Sequence, residues 1–329
     1  MNNRGIFSSL LDNGAYHSAE KTWIVDLQKY HRYWYDLVVN PGEMSEHINT
    51  RQLIVDYLKD VKKAVEDNLE KRFVYFICSR TKVRFNTKKK PFFNPFTKNV
   101  TFHILIGKEK KAKKVFCKFF DLGLGKFCIP QIILTDKYVT FSDSKGNLTT
   151  ASIHDFLESS DINLGISSNV EYVGYTENPH ARPTNGAHTG LSDVLYKVSN
   201  DDSDTLIYFN LFKVTVYASQ ENSMINFVVP NAMTNEIDAE LEGKVIEKCF
   251  IFYFNSAAQN RNKQQELPEL KNNLLKMASQ NKINSISFHY EFEKENDYST
   301  FSSSKVRASS CHKFSVAIAN GNVEISRDI

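Results

Sequence analysis

The hydrophobic residues of this chain follow two different periods, which predicts a protein of mixed α and β structure. Helical spacing, with apolar residues three or four positions apart, marks 50–71, 235–254 and 267–278. Alternating or continuous apolar runs of strand length fill much of the rest. The strands predicted in this way are 73–78, 100–106, 115–120, 132–134, 138–141, 171–173, 206–217, 283–292 and 313–325. The fold class that follows is α+β.

Two helices are defined by one apolar face each. Along 50–71 the apolar face is opposed by Lys, Asp and Glu, and it consists of Leu53, Ile54, Tyr57, Leu58, Val61, Val65 and Leu69. Along 235–254 a step of about 100° per residue puts Glu247 opposite the apolar face and Glu242 near it. That second apolar face consists of Ile237, Leu241, Val245, Cys249 and Tyr253.

Turn residues divide the chain into three predicted segments. Gly123, Gly125 and Pro130 mark the first boundary, which gives an N-terminal α+β domain over 1–130. A central domain over 131–280 follows, and a β-rich C-terminal segment occupies 281–329. In the last segment Asn320-Gly321 stands between two alternating runs, which predicts a β-hairpin.

Composition is that of a soluble globular protein. Hydrophobic residues make up 41% and charged residues 24% of the 329 positions, and the net charge of +3 is too small to indicate a partner. The five cysteines are scattered without a CxxC pair, which indicates reduced thiols and neither a zinc site nor a disulfide framework. No apolar run approaches the roughly 18 residues of a membrane span, and the first residues lack the apolar core of a signal peptide. We therefore expect a cytoplasmic protein with no membrane partner.

Positive charge is concentrated in one segment of the chain, which the small net charge does not show. Between Arg80 and Lys118 there are thirteen Lys or Arg residues, and Glu109 is the only acid. Two clusters dominate the segment and are expected at hairpin turns: Lys88, Lys89 and Lys90, then Lys108, Lys110, Lys111, Lys113 and Lys114. Such lysines suit contact with nucleic-acid phosphates, although solvated turns that keep the protein soluble explain them about equally well.

Phenylalanines lie between the two lysine clusters. Phe92, Phe93 and Phe96 have the chemistry to stack on bases. Pro91 and Pro95 favour the other interpretation, a packed loop.

The densest set of reactive side chains lies in 171–188. Tyr172 and Tyr175 are followed by Arg182 and His188, and Gly174 is expected to end the strand so that these groups stand on a loop. No Walker phosphate loop, HExxH zinc motif or GxSxG nucleophile elbow occurs in the chain.

Tyr172-Val173-Gly174, with Arg182 ten residues after the tyrosine, resembles the second half of the GIY-YIG nuclease signature. Glu247 on a helix and Asn260 thirteen residues later complete the order Tyr, Arg, Glu, Asn of that family. The first motif, Gly-Ile-Tyr, is not found at the usual spacing, since 163–167 contains no tyrosine. Tyr138 is the nearest upstream tyrosine that an insertion would bring into its place.

The resemblance implies a metal-dependent DNA endonuclease of the restriction, defence or mobile-element type. Its fold would be a small mixed or antiparallel sheet flanked by helices in the central segment. Glu247 would bind Mg²⁺ or Mn²⁺, with Glu242 as the rival ligand, and Arg182 would hold the phosphate. The remaining roles implied are water activation by Tyr172, assistance by Tyr175 or His188, and nucleic-acid contact by Asn260.

The substrate implied is DNA, double-stranded in preference to single-stranded. Two other functions fit the same sequence: a nucleic-acid-binding protein that keeps the nuclease fold without catalysis, and a structural or interaction protein with solvated lysines. The nuclease interpretation requires that Tyr172, Arg182 and Glu247 converge on one cleft.

Overall fold

A computed structural model describes residues 3–45, 47–68, 72–181, 202–220, 226–256 and 259–327. Strands account for 42% and helices for 27% of the described structure, which confirms the α+β class. The helices within these ranges are α1 (Gly14–Ser18), α2 (Asp36–Val39), α3 (Thr50–Asn68), α4 (Ile153–Ser159), α5 (Asn231–Thr234), α6 (Ala239–Phe254) and α7 (Asn260–Asn281).

The described residues form strands that are distributed over one large and three small sheets. They are β1 (Glu20–Trp34), β2 (Phe73–Thr81), β3 (Val83–Phe85), β4 (Phe92–Asn94), β5 (Asn99–Ile106), β6 (Lys111–Cys117), β7 (Phe120–Asp121), β8 (Lys126–Phe127), β9 (Gln131–Leu134), β10 (Tyr138–Ser142), β11 (Leu148–Ser152), β12 (Ser168–Thr176), β13 (Ser203–Ser219), β14 (Asn226–Pro230), β15 (Ile283–Glu291), β16 (Phe301–Ser302), β17 (Cys311–Ala319) and β18 (Asn322–Arg327).

The large sheet has nine strands within the described ranges, in the order β16-β12-β2-β13-β1-β15-β17-β18, with β14 also paired to β13. Neighbours are antiparallel except β1 with β15 and β12 with β16, so the sheet is mixed. It takes strands from each of the three segments that the sequence predicts as domains. The three segments therefore share one sheet, which is larger than the small sheet expected for the central segment.

Helices cover both faces of this sheet. On one face, which we call the α3 side, Ile54, Leu58 and Val61 of α3 pack with Tyr75 and Phe209. On the opposite face, the α6 side, Val245, Cys249 and Phe250 of α6 join the main core. Because β2 and β13 are covered on both sides, their sequences are continuous apolar runs, as in any strand buried on two faces.

The basic segment forms a separate small sheet. Its central strand β5 pairs with β3 and β4 along one edge and with β6 along the other. Phe85 and Phe102 point into a core shared with Phe141 of β10 and Phe156 of α4. The other two small sheets are β9-β10-β11 and the β7-β8 hairpin.

Local sequence signals explain several element boundaries. Asn320 and Gly321 have φ values of 50° and 73°, which confirms the hairpin between β17 and β18. The helix predicted from 235 begins instead at Ala239, because Asn235 adopts a left-handed φ of 53° and Asp238 caps α6 by accepting the backbone N–H of Leu241. The helix predicted over 267–278 extends over the full length of α7, with Pro268 inside it.

No helix among the described residues combines the length and the apolar character needed to cross a bilayer.

Candidate functional site

Glu247 of α6 lies directly under strand β12. Its Oε1 accepts a hydrogen bond of 3.0 Å from the backbone N–H of Tyr175. Gly243, one turn earlier, allows this approach, because a Cβ there would stand 2.7 Å from Arg72 and 3.3 Å from the Tyr175 ring. The residue keeps some exposed surface, but the loss of water around its carboxyl group raises the pKa of Glu247 to about 8. The carboxyl group is therefore largely protonated near neutral pH.

Tyr172 lies on the other face of the sheet from Glu247. Its ring stacks on Tyr75 at 6.0 Å between centroids and packs against the core of the α3 side. Tyr175 packs against the core of the α6 side. The prediction that Gly174 ends the strand is wrong, because β12 continues to Thr176, and residues three apart in a strand face opposite ways.

Gly174 itself has a packing role in this strand. A Cβ at this position would stand 2.6 Å from the Tyr75 ring and 2.8 Å from the Tyr172 ring. The Tyr-Val-Gly sequence is thus required by the close packing of these two rings on the α3 side.

The remaining predicted catalytic residues are distributed as follows. Arg182 and His188 lie outside the described residues, and Asn260 is the first residue of α7, with its side chain outside the description. The rival carboxylate Glu242 is buried in a salt bridge of 3.0 Å with Arg4 and accepts a hydrogen bond of 2.6 Å from Asn231. Among the predicted catalytic residues that the structure describes, Glu247 and Tyr175 are brought together, through the carboxyl group of Glu247 and the backbone N–H of Tyr175.

The acids described around Glu247 are engaged with a lysine. The nearest acids that influence Glu247, Glu266 and Glu269, form salt bridges with the buried Lys248. Within the described ranges no three His, Cys, Asp or Glu side chains come together as a metal site requires. A hard divalent cation needs several charged or carbonyl oxygens, and among the described residues Glu247 contributes one carboxyl group to such a set.

The lysine clusters occupy the small sheet. Lys88, Lys89 and Lys90 are exposed in the connection between β3 and β4. Lys108 and Lys110 stand in the turn between β5 and β6, whereas Lys111, Lys113 and Lys114 lie on β6. Hence the prediction of a hairpin turn holds for Lys108 and Lys110, whereas Lys88, Lys89 and Lys90 lie in a connection between two strands that both pair with β5, and the other three lysines are on an edge strand.

Most of these eight lysines have no carboxylate partner among the described residues. Lys108 is 3.4 Å from Asp202. Lys113 contacts a backbone oxygen, that of Leu164, at 3.4 Å. In the part of the chain that the structure describes, the other six lysines have no carboxylate within 4.0 Å and no hydrogen bond from the ammonium group to a backbone oxygen. The positive charges of these lysines therefore face solvent.

The two clusters, separate in sequence, meet in space. Lys88 from the first and Lys110 from the second line the same cavity. The pKa of His103 on β5 is lowered first by burial and then by the positive charges of Lys89 and Lys114, one lysine from each cluster. His103 is accordingly neutral at pH 7, and the lysines are the cations of this surface.

The cavity has a volume of about 810 Å³, and its described wall contains five cationic side chains. Arg84 lies 2.9 Å from Asp204, and Lys137 lies 3.1 Å from Asp36. The remaining cations of the wall are Lys82, Lys88 and Lys110. With Asp136 the described wall holds three carboxylates against five cations, so the cavity is cationic.

A buried polar network fixes one wall of the cavity to the large sheet. Asp204 of β13 accepts hydrogen bonds from the backbone N–H of Val83, from Arg84 and from His154 Nε2, at 3.0, 2.9 and 3.1 Å. Burial lowers the pKa of His154, so its neutral ring donates from Nε2 to Asp204 and accepts from the Tyr298 hydroxyl at Nδ1.

The same network continues to two buried arginines. Tyr298 stands between the guanidinium groups of Arg32 and Arg80, at 4.7 and 4.2 Å from its ring centre. Arg32 pairs with Asp155 and Glu158 of α4. These interactions hold α4, β3 and the large sheet in one arrangement.

Sequence reasoning missed most of this cavity. Lys88 and Lys110 were predicted as nucleic-acid-binding residues, and Lys82 and Arg84 were part of the basic segment, but Trp34, Lys137 and Asp204 come from distant positions and carry no local signal. The pairing of β1 and of β2 with β13 places Trp34 and Asp204 at the same end of the large sheet, and a hydrogen bond from the Phe85 N–H to the Asp136 carbonyl brings the residue before Lys137 to β3.

Comparison with known proteins gives no further assignment: no family model, no curated protein and no solved structure matches this chain.

Proposed function

We propose that this protein binds nucleic acid through the small sheet β3–β6. The observation that supports this most directly is the meeting of the two lysine clusters, Lys88 with Lys110 at the cavity and Lys89 with Lys114 around His103. Exposed lysines arranged around one surface attract a polyanion and release its counterions. The interactions would be with phosphates, which position a nucleic acid without reading its sequence.

Edge protection is the competing explanation for part of this surface. Among the described residues β6 pairs only with β5, and lysines on an edge strand prevent pairing with other chains. This explanation covers Lys111, Lys113 and Lys114 on β6, and Lys88 and Lys89 lie at the opposite edge, formed by β3 and β4. Edge protection gives no reason for lysines from the two edges to meet at one cavity and around one histidine.

Salt-dependent binding tests the proposal. Fluorescence anisotropy with a labelled 20-nucleotide oligonucleotide, at 50 and 200 mM NaCl, should show affinity falling about a thousandfold if six or more phosphates are bound. The variant Lys88→Gln/Lys89→Gln/Lys110→Gln/Lys114→Gln should bind more weakly and reduce the slope of log affinity against log salt by about 1 for each lysine that no longer binds a phosphate.

A control for net charge can be made on α7. The variant Lys271→Gln/Lys276→Gln removes two positive charges far from the small sheet and should leave affinity and salt slope unchanged. Equal weakening in both variants would mean that only overall charge matters. Absence of binding at 50 mM NaCl would refute the proposal.

Phosphodiester hydrolysis is a second proposal, taken from the sequence resemblance, and it requires Glu247 to act without Tyr172, which lies on the other face of the sheet. The feature in its favour is the hydrogen bond between Glu247 and β12, which carries Tyr172-Val173-Gly174. A DNA nicking assay with Mg²⁺ or Mn²⁺ tests it. Cleavage that Glu247→Ala abolishes would support a catalytic Glu247, whereas no cleavage, or cleavage unchanged by that substitution, would reject it.

A further inference from the structure

The outward face of the small sheet carries a row of aromatic side chains. In the strand register Phe92 of β4, Thr101 of β5 and Phe116 of β6 are direct neighbours, so all three point to the same side. Phe92 is 49% and Phe116 is 55% exposed, although Thr101 between them is only 2% exposed. Two exposed phenylalanine side chains therefore flank a buried threonine on this face of the sheet.

A histidine and a lysine occupy the next paired positions along the same face. His103 and Lys114 are paired one step further along β5 and β6, about 7 Å from the phenylalanine row. Lys89 acts on the same histidine from the other edge. Beyond them Leu105 lines the cavity that Lys88 and Lys110 also line. We call this surface, from Phe92 and Phe116 to the cavity, the outer face.

Two exposed aromatic side chains on one face of a sheet offer a partner a surface for contact. The opposite face of the same sheet is apolar in the ordinary way, since Val100, Phe102, Ile104 and Val115 point into the core and are at most 3% exposed. Burial in the core therefore does not explain Phe92 and Phe116. Aromatic rings that alternate with lysines match the two parts of a single strand of nucleic acid, its base faces and its phosphates.

We propose that the outer face binds single-stranded nucleic acid, with bases stacked on Phe92 and Phe116 and phosphates on Lys89 and Lys114. This rests on the nucleic-acid binding proposed above and replaces the expectation of a double-stranded substrate. A duplex keeps its bases stacked on one another, so it offers phosphates but no free base faces to these rings. The outer face then distinguishes single strands from duplexes by stacking, and the lysines add affinity for either form.

The test compares a single-stranded 20-mer with its duplex by fluorescence anisotropy at one salt concentration. The protein should bind the single strand at least about tenfold more tightly. Phe92→Ala and Phe116→Ala should each weaken single-strand binding by about five- to a hundredfold, the usual range for loss of one stacked base. Duplex binding should change by less than about twofold, and the salt slope should stay the same because the lysines remain.

Conservative and matched variants separate stacking from folding. Phe116→Tyr keeps an aromatic face and should keep the affinity, whereas Phe116→Leu keeps apolar volume and should lose it. Ile133→Ala on β9 removes a side chain that is 68% exposed elsewhere and should have no effect. Thermal unfolding confirms that each variant is folded before its affinity is compared.

The outcomes distinguish this inference from the proposed function. If single strand and duplex bind equally and the phenylalanine variants bind as the wild type does, the stacking site is refuted while nucleic-acid binding stands. If Phe116→Leu binds as well as Phe116→Tyr, apolar packing and not stacking explains the rings. If neither nucleic acid binds at 50 mM NaCl, the proposed function itself fails.

Discussion

The large sheet and the small sheet use charged residues in opposite ways. Within and beside the large sheet, Lys248 is 5% exposed and pairs with Glu266 and Glu269, and Arg32 is 3% exposed and pairs with Asp155 and Glu158. On the small sheet the lysines are exposed, and the described residues offer a carboxylate to only one of the eight, Lys108.

This difference distinguishes charged residues that pair within the fold from charged residues that can bind a ligand. Charges removed from water must be compensated within the fold, so the residues that compensate them are no longer free to bind a ligand. Exposed charges gain little from intramolecular pairs and can be kept for an external polyanion. Chemically reactive side chains, such as Glu247, are therefore weak evidence of function until their burial and partners are known.

The largest effect is expected from the buried network. Asp204→Ala leaves Arg84, His154 and the Val83 N–H without their shared acceptor and should lower the free energy of unfolding by about 3–5 kcal/mol. Asp136→Ala is the matched control, because Asp136 is 61% exposed and 3.9 Å from the same arginine, and should cost less than about 0.5 kcal/mol. Urea denaturation measures both. Similar losses of stability in the two variants would show that burial does not set the cost.

A smaller loss is expected at Gly174. Gly174→Ala forces a Cβ against Tyr75, which is 4% exposed, and should lower the free energy of unfolding by about 1–3 kcal/mol through overpacking. Gly14→Ala, where a Cβ meets nothing within 4 Å, should be neutral or slightly stabilising. Thermal and urea unfolding compare the two variants. A neutral Gly174→Ala would contradict the packing role and favour the explanation of this glycine by the family motif.

Glu247 should give a pH-dependent difference. Its pKa is about 8 in the folded protein and near 4.5 when unfolded, so the unfolded state loses the proton first and stability falls as pH rises from 4.5 to 8. Glu247→Gln cannot ionise. It should match the wild type at about pH 5 and exceed it by about 1–3 kcal/mol at about pH 9.

Glu240→Gln on the same helix, with its carboxylate 59% exposed, is the control for replacing a carboxylate by an amide on this helix. The measurement for both variants is urea denaturation across the pH range. A constant difference for Glu247→Gln would mean an ordinary carboxylate that is free to bind a cation.

The smallest effect is expected from the lysines of the small sheet. Lys88→Gln, Lys89→Gln, Lys110→Gln and Lys114→Gln should each change the free energy of unfolding by less than about 0.5 kcal/mol, since the described residues give none of the four a carboxylate partner. Lys248→Gln, by contrast, breaks a buried pair and should cost more than about 1 kcal/mol. Thermal and urea unfolding test this, and a large loss of stability in any of the four would assign it a structural role.

Elements with strong local periodicity could be predicted. Helix α3 and the buried strand β2 follow directly from the spacing of apolar residues, and the hairpin at Asn320-Gly321 follows from turn chemistry. The start of α6 was missed because Asn235 takes a left-handed φ instead of capping a continuous helix.

The candidate catalytic site could be predicted only in part. The continuation of β12 to Thr176 was in principle readable from the apolar and aromatic run Tyr172–Tyr175, and it alone would have placed the two tyrosines on opposite faces. The environment of the Glu247 carboxyl group was not readable, because the helical period shows which residues share a face but not that a strand covers the opposite one.

Local period, turn chemistry and composition were enough to specify the α+β class, the three long helices, several of the strands and the two lysine clusters, but not the central strand β1. Tertiary structure was needed to show that Tyr172 and Glu247 are on different faces, that Lys89 and Lys114 act on one histidine, and that Phe92 and Phe116 share a row. The physical reason is strand pairing. Register joins positions far apart in sequence, and each joined pair fixes which side chains face solvent and which are buried.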